Sequence, residues 1–179
     1  MSTYHHGDLR AAVLAAAGKL IEKEGLAGIS VRQAARRAGV SHNAPYRHFS
    51  DRNALLDALV AEGFRELKQA LDGRSGRELG EAYVRFALER PERFRLMFRG
   101  RPAKGGAPDP HSQAQATFGA LQGTFASVGA DAEYAAAGAW ALVHGLAYLI
   151  LDGHLEKGED FARRVIGSIR IAVAPQRSA

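Results

Sequence analysis

The twenty residues from Ser30 to Phe49, S-V-R-Q-A-A-R-R-A-G-V-S-H-N-A-P-Y-R-H-F, constrain the fold more than any other stretch. Ser30 suits a helix N-cap, because its hydroxyl can accept a hydrogen bond from an early unpaired backbone N–H. Val31, Ala34, Ala35 and Ala38 recur at helical spacing and give one small apolar face. Gly39 suits the left-handed position that closes a helix, and Val40 is placed to plug the gap that follows. Ser41 suits a second N-cap, for a helix running from His42 through Phe49. Two short helices with a tight turn between them bury too little apolar surface to stand alone. The flanking segments must therefore supply walls.

They are built to do so. Asp8 places a favourable charge at the start of a helix, in which Leu9, Val13, Ala16, Ala17, Leu20 and Ile21 form one stripe before Gly25 ends it. Leu26 and Ile29 anchor the link into Ser30. On the other side, Ser50 or Asp51 caps a long helix from about Arg52 to Leu71, with Leu55, Leu56, Leu59, Val60, Phe64, Leu67 and Leu71 on its buried side. This is the arrangement of a helix-turn-helix, whose second helix enters the major groove of DNA. The residue types fit that role. Arg32, His42, Asn43 and Pro45 would approach base edges, with Ala44 and Pro45 against thymine methyls. Ser41, Tyr46, Arg47, His48 and Arg52 would hold phosphates. The alternative is an ordinary helical hairpin with its polar residues in solvent.

Charge leans the same way. Residues 1–50 carry seven Lys/Arg against three acids, a net of +4, whereas residues 51–179 carry 17 against 16, a net of +1. A basic excess on one segment suggests a polyanionic partner. With no cysteine in the chain, disulfide and thiolate chemistry are excluded. The N-terminus lacks the apolar core of a signal peptide. No apolar run is expected to reach the roughly 20 residues that cross a bilayer, so no membrane partner is expected and the cytoplasm is the expected compartment. Tyr4, His5 and His6 form an N-terminal arm. Two adjacent histidines fall short of the three or four converging ligands that a metal needs.

The remainder reads as helices. One spans about Arg77 to Arg90 with Leu79, Ala82, Tyr83, Phe86 and Ala87 inward. Pro91 opens a short one carrying Phe94, Met97 and Phe98. Residues 100–110 read as a loop, and a helix near 111–128 carries Phe118, Leu121 and Phe125. Asp131 caps an apolar helix to about Leu151, in which Gly138 and Gly145 would let another backbone approach. Gly153 ends it, and a last helix covers about 160–173. No segment reads as a strand. The expectation is an all-α chain of about nine helices: a three-helix DNA-binding domain over 1–51 and a helical ligand-binding and dimerisation domain over 52–179.

The pattern E-G, S-V-R-Q-A-A-R-R-A-G-V-S, Y-R-H-F-S-D-R and L-L, over roughly Leu9 to Leu59, resembles the TetR family of bacterial transcriptional regulators. Asn43 and Pro45 depart from the commonest residues there, glycine and leucine. W-A-L-V-H-G, at Trp140, His144 and Gly145, resembles the Trp-His-Gly signature of one class of TetR C-terminal domain, as does Y-V-R-F-A-L-E-R-P-E-R-F-R-L-M-F. The resemblance implies a homodimer joined through the last two helices, about 131–151 and 160–173. It implies a repressor that leaves a palindromic operator when a small-molecule effector binds.

The candidate effector residues are Phe64, Phe86, Phe94, Met97, Phe98, Phe118, Trp140, His144 and Tyr148. Trp140, His144 and Tyr148 stand four apart and share a helix face. His144 is either a polar handle in an aromatic pocket or a core histidine satisfied by a backbone carbonyl, Tyr83 or Tyr148. A C-terminal part that only dimerises is the competing reading. Catalysis lacks support: there is no phosphate loop in frame and no Ser–His–Asp pattern. No catalytic residue, cofactor or metal is expected.

Overall fold

The structure is a computed structural model that describes residues 6–99, 118–119, 122–125, 131–155 and 158–169. Every regular element among these residues is helical. In order they are α1 (His6–Glu24), a 3-10 turn (Leu26–Gly28), α2 (Val31–Arg37), a second 3-10 turn (Ala44–Arg47), α3 (Arg52–Leu71), α4 (Gly76–Glu89), α5 (Pro91–Met97), α6 (Ala132–Leu151) and α7 (Glu159–Ser168). The expected loop at 100–110 and most of the expected helix at 111–128 lie outside the described residues, as does the expected helix beyond Ile169. Ile169 itself is extended, with φ −96° and ψ 126°.

The chain forms two compact units: Met1–Arg65 with Arg90–Gln113, and Glu66–Glu89 with Ala114–Ala179. The packing therefore does not divide at residue 51. The division falls within α3, and α5 belongs to the unit that carries the helix-turn-helix.

In the first unit α1 packs against both α2 and α5. Val13, Ala17, Ile21, Ala34, Ala35, Leu55 and Leu59 are fully enclosed. Residues of the expected stripes on α1, α2 and the first half of α3 are thus buried in this unit. Two glycines inside helices let α5 approach. A Cβ at Gly18 would collide with the Arg93 guanidinium, and one at Gly63 would lie 2.6 Å from Met97 Sδ. A glycine within a helix costs about 1 kcal/mol relative to alanine, so both positions are used for close contact. The N-terminus of α5 receives a cap from α1. The Glu22 carboxylate accepts the backbone N–H of Glu92 at 3.1 Å and of Arg93 at 3.0 Å.

In the second unit α4 packs against α6 and α7, and α6 meets α7. A Cβ on Gly80 would sit 3.2 Å from Val143 and 3.4 Å from Ile166, which marks where the three helices converge. Arg85 pairs with Glu159 at 2.8 Å, tying α4 to the start of α7. The expected close approach at Gly138 and Gly145 is not made among the described residues, where a Cβ at either would meet nothing within 4 Å.

The expectation about apolar length is also corrected. At 20 residues and mean hydropathy 1.5, α6 is long and apolar enough by length and composition to cross a membrane. Its buried residues Ala135, Ala136, Val143, Leu146 and Ala147 account for part of that composition. Tyr134, 75% exposed, and Leu149, 44% exposed, leave another part uncovered.

Candidate nucleic-acid interface and aromatic cluster

The reading head starts on a complete N-cap. Ser30 Oγ accepts the Gln33 backbone N–H at 3.2 Å and donates to Gln33 Oε1 at 2.8 Å. Helix α2 closes at Gly39, whose φ is +70°. There the Gly39 N–H reaches the Arg36 carbonyl at 3.2 Å and the Val40 N–H reaches Ala35 at 3.1 Å. These paired bonds with a left-handed glycine form a Schellman motif. Val40 is half-buried and lines an open groove rather than plugging the gap between the helices.

The second helix differs from expectation. In place of a helix over His42–Phe49 there is one 3-10 turn, Ala44–Arg47. Ser41 contributes its backbone carbonyl, which accepts the Ala44 N–H at 3.2 Å, and Asn43 stands at the N-cap without a side-chain cap bond. Pro45 explains the shortening. It has no N–H to give, and its ring disfavours α geometry at Ala44. The His48 and Phe49 N–H groups both close on the Pro45 carbonyl at 2.9 Å.

The expected DNA contacts then separate. Arg32, Ser41, His42, Asn43, Arg47 and His48 are exposed, Tyr46 is 41% exposed, and Ala44 is half-buried. Pro45 leaves the set: its side chain is less than 2% exposed, so it cannot touch a thymine methyl. With Phe49, 1% exposed, it anchors the turn in the core. The Arg10 guanidinium lies over the Phe49 ring at 5.6 Å. Arg52 is also reassigned. Its Nε donates to the Ile29 carbonyl at 3.0 Å and its Nη2 to the Leu26 carbonyl at 2.5 Å. These bonds hold the turn before α2 against the start of α3, where Asp51 Oδ1 accepts the Ala54 N–H at 2.9 Å.

Several arginines outside this surface are paired. Arg65, Arg77, Arg85, Arg95 and Arg163 each pair with a carboxylate. The guanidinium groups of Arg32, Arg36, Arg37 and Arg47 form no ion pair or hydrogen bond among the described residues. No Asp or Glu occurs between Glu24 and Asp51. Gln33 and Arg36 lie outside the expected contact set. They line an open groove with Arg32, Val40 and His42, and the four-residue step from Arg32 to Arg36 was the available signal.

The candidate effector residues fall in two groups. Phe64, Phe94, Met97 and Phe98 belong to the first unit. Phe64 and Phe94 are buried, at ring distances of 5.4 and 5.0 Å from Phe98. In the second unit Phe86 is buried, while Phe118, Trp140, His144 and Tyr148 are half-buried. Tyr83, one of the partners expected for His144, is the hub. Its hydroxyl accepts Trp140 Nε1–H at 3.0 Å and bonds His144 Nδ1 at 2.8 Å. The hydroxyl oxygen accepts from Trp140 and keeps its own proton, and the direction of its bond with His144 Nδ1 follows the imidazole tautomer. Phe118 lies 5.5 Å from Trp140, and Tyr148 4.9 Å from His144. Burial pushes the Tyr83 hydroxyl pKa up and the His144 pKa down, so both favour their neutral forms. Among the described residues no three His, Asp or Glu side chains gather as a metal site would need.

Comparisons with known proteins place this geometry. Residues 13–59 match the family model described as bacterial regulatory proteins, tetR family, and residues 77–169 match tetracyclin repressor-like, C-terminal domain. No curated protein matches the chain. A solved structure from Rhodococcus sp. RHA1, titled a protein with unknown function, is 36% identical with a TM-score of 0.77, covering 94% of this chain and 96% of that one. The TetR family transcriptional regulator PfmR from Thermus thermophilus is 18% identical with a TM-score of 0.64, and both chains are covered over 100%. The multidrug binding protein EbrR, solved with imidazole, is 22% identical with a TM-score of 0.63, covering 93% of this chain and 92% of that one. Members of the family are DNA-binding regulators, and the chain belongs to the TetR family of bacterial transcriptional regulators.

Proposed function

We propose that the chain is a homodimeric repressor that binds a palindromic operator in the cytoplasm and leaves it when a small-molecule effector binds. The observation that carries the DNA contact is the set of exposed, unpaired guanidinium groups at Arg32, Arg36, Arg37 and Arg47, on a segment without acids. Arg32, His42 and Asn43 approach bases; Ser41, Tyr46, Arg47 and His48 hold phosphates, with Ala44 beside them. Tyr46→Ala weakens binding to every duplex, whereas Asn43→Ala changes which sequences are preferred. Unaltered affinity of Tyr46→Ala for the promoter of its own gene would refute this docking.

Dimerisation is supported by the uncovered apolar face of α6. Tyr134 and Leu149 are exposed there, and Gly138 and Gly145 leave room for a second backbone. The effector site is assigned to the cluster around Trp140 and His144, which we place in the Trp-His-Gly class. EbrR, a multidrug binding protein, has the same fold. An effector must bind the two states unequally to shift them, and about 1–3 kcal/mol is a usual coupling. A second reading, in which the C-terminal part only dimerises, is favoured by the Tyr83 bonds that satisfy His144 from within. A small molecule that changes operator affinity decides between the two.

A further inference from the structure

Helix α7 is weak by itself. It has 10 residues, and an isolated helix shorter than roughly 12–15 residues is marginal in water. Its N-cap, Gly158, makes no side-chain cap bond, and Gly167 stands inside the helix. Its order must come from docking, yet the apolar part of that docking is small. Ala162 and Ile166 are its buried residues, with Phe161 and Val165 half-buried.

Charge supplies the rest of the contact with α4. Arg85 Nε donates to Glu159 Oε1 at 2.8 Å, and Arg163 Nη2 donates to the same oxygen at 3.2 Å. Arg163 Nε stands 3.7 Å from Glu81 Oε2, and Arg77 Nε donates to Glu81 Oε1 at 2.5 Å. Arg77 Nη2 then reaches the Arg163 carbonyl at 3.4 Å. The Asp160 carboxylate lies 3.3 Å from Arg163, within α7. Arg85, Glu159, Arg163, Glu81 and Arg77 thus form one line of alternating sign across the two helices. The Arg77 guanidinium lies against Gly167, where a Cβ would come within 2.8 Å of Nη1. Glu81 is the most enclosed of the five at 17% exposed, while Arg85 and Arg163 are each 42% exposed. Pairs as open as these are screened by salt and individually weak.

We propose that this line of charges is a clasp that makes the docking of α7 on α4 respond to ionic strength. Salt weakens every link at once, and α7 has too little apolar burial to stay docked without them. It therefore releases before the rest of its unit, and release uncovers the point where Gly80 meets Val143 and Ile166. Helix α6 differs, because its buried residues Ala135, Ala136, Val143, Leu146 and Ala147 are all apolar and carry no charge to screen. The clasp stands apart from the DNA-binding reading. Under that reading ionic strength also governs phosphate contacts, so one signal acts on both units.

Hydrogen exchange read by mass spectrometry tests the clasp on the full chain. Sodium chloride is set at about 0.01 M and about 1 M at one pH, which shortens the screening length from about 30 to about 3 Å. The amides of residues 163–168 exchange about threefold faster or more at high salt, while those of residues 143–151 in α6 keep their rate. Arg85→Gln and Arg77→Gln lie on α4 and leave the sequence of α7 untouched. Each speeds α7 exchange at low salt and shrinks its response to salt.

Exchange in α7 that does not move with salt overturns the clasp, and that result needs no variant. Equal acceleration in α6 overturns it too, since the whole unit would then be loosening. The same holds for folded Arg85→Gln and Arg77→Gln variants that keep the wild-type salt response. Acceleration that vanishes as protein concentration rises would place the effect at a contact between copies and also defeat the proposal.

Discussion

Glu22 stands on α1, yet its carboxylate caps α5, about seventy residues further along the chain. The N-cap residue of α5, Arg90, makes no side-chain cap bond, so Glu22 supplies what the local sequence does not. Glu22→Ala removes the acceptor of two backbone N–H groups at 3.1 and 3.0 Å. Hydrogen bonds to a charged group contribute about 1.5–3 kcal/mol each when enclosed, and loss of an N-cap costs about 0.5–2 kcal/mol. Glu22 is half-buried and water can replace part of the loss, so about 2 kcal/mol for the pair is expected. At about 2–4 °C per kcal/mol for a chain of this size, the melting temperature falls by about 4–8 °C. Hydrogen exchange localises the effect. The amides of Glu92 and Arg93 should exchange about 30-fold faster, the factor that 2 kcal/mol implies. Wild-type exchange at both amides together with an unchanged melting temperature would refute the cap and leave the two glycine notches to hold α5 to its unit.

Other outcomes follow from the same geometry. Tyr83→Phe removes the hydroxyl shared by Trp140 and His144 and lowers stability by about 1–3 kcal/mol, read from the urea midpoint; a midpoint within error of wild type would deny the hub role. His144 provides a pH dependence. Burial holds its folded value below the ordinary 6.5, so the unfolded chain takes up a proton first as the medium acidifies. Stability is full above the ordinary value and declines as pH falls toward the folded value. Denaturation of wild type and His144→Gln at about pH 7.5 and about pH 5.5 should show a smaller decline in the variant, and equal declines would contradict the assignment.

What could be read in the sequence was local. Ser30, Gly39 and Gly153 announced a cap and two stops because caps depend on neighbours within a few residues. The span Arg52–Leu71 followed from a regular apolar stripe. Ion pairs such as Arg77–Glu81 and Lys68–Asp72 stand at helical spacing. The shortened reading turn was also legible in principle, since a proline so close to a helix start disfavours α geometry before it. Contacts across the fold were not. Arg52 holds carbonyls 23 and 26 residues away, and the sequence offers Tyr83 for His144, 61 residues away, only as one of three partners. An exposed arginine and a structural one share the same letter, and only the packed chain tells that Arg52 is bonded while Arg36 is unpaired. Of the candidate DNA residues, most are exposed on one segment, but Pro45 belongs to the core. The aromatic set falls into two units, a division that helical spacing does not reveal.

The central claim is that two copies of this reading head act together on a duplex. Selection of bound fragments from random duplex DNA by the full chain tests it most directly. The account predicts one enriched site made of two inverted half-sites, with centres about 34–36 Å or a multiple of that apart. Enrichment of a single unrepeated half-site, or no enrichment at all, would contradict it.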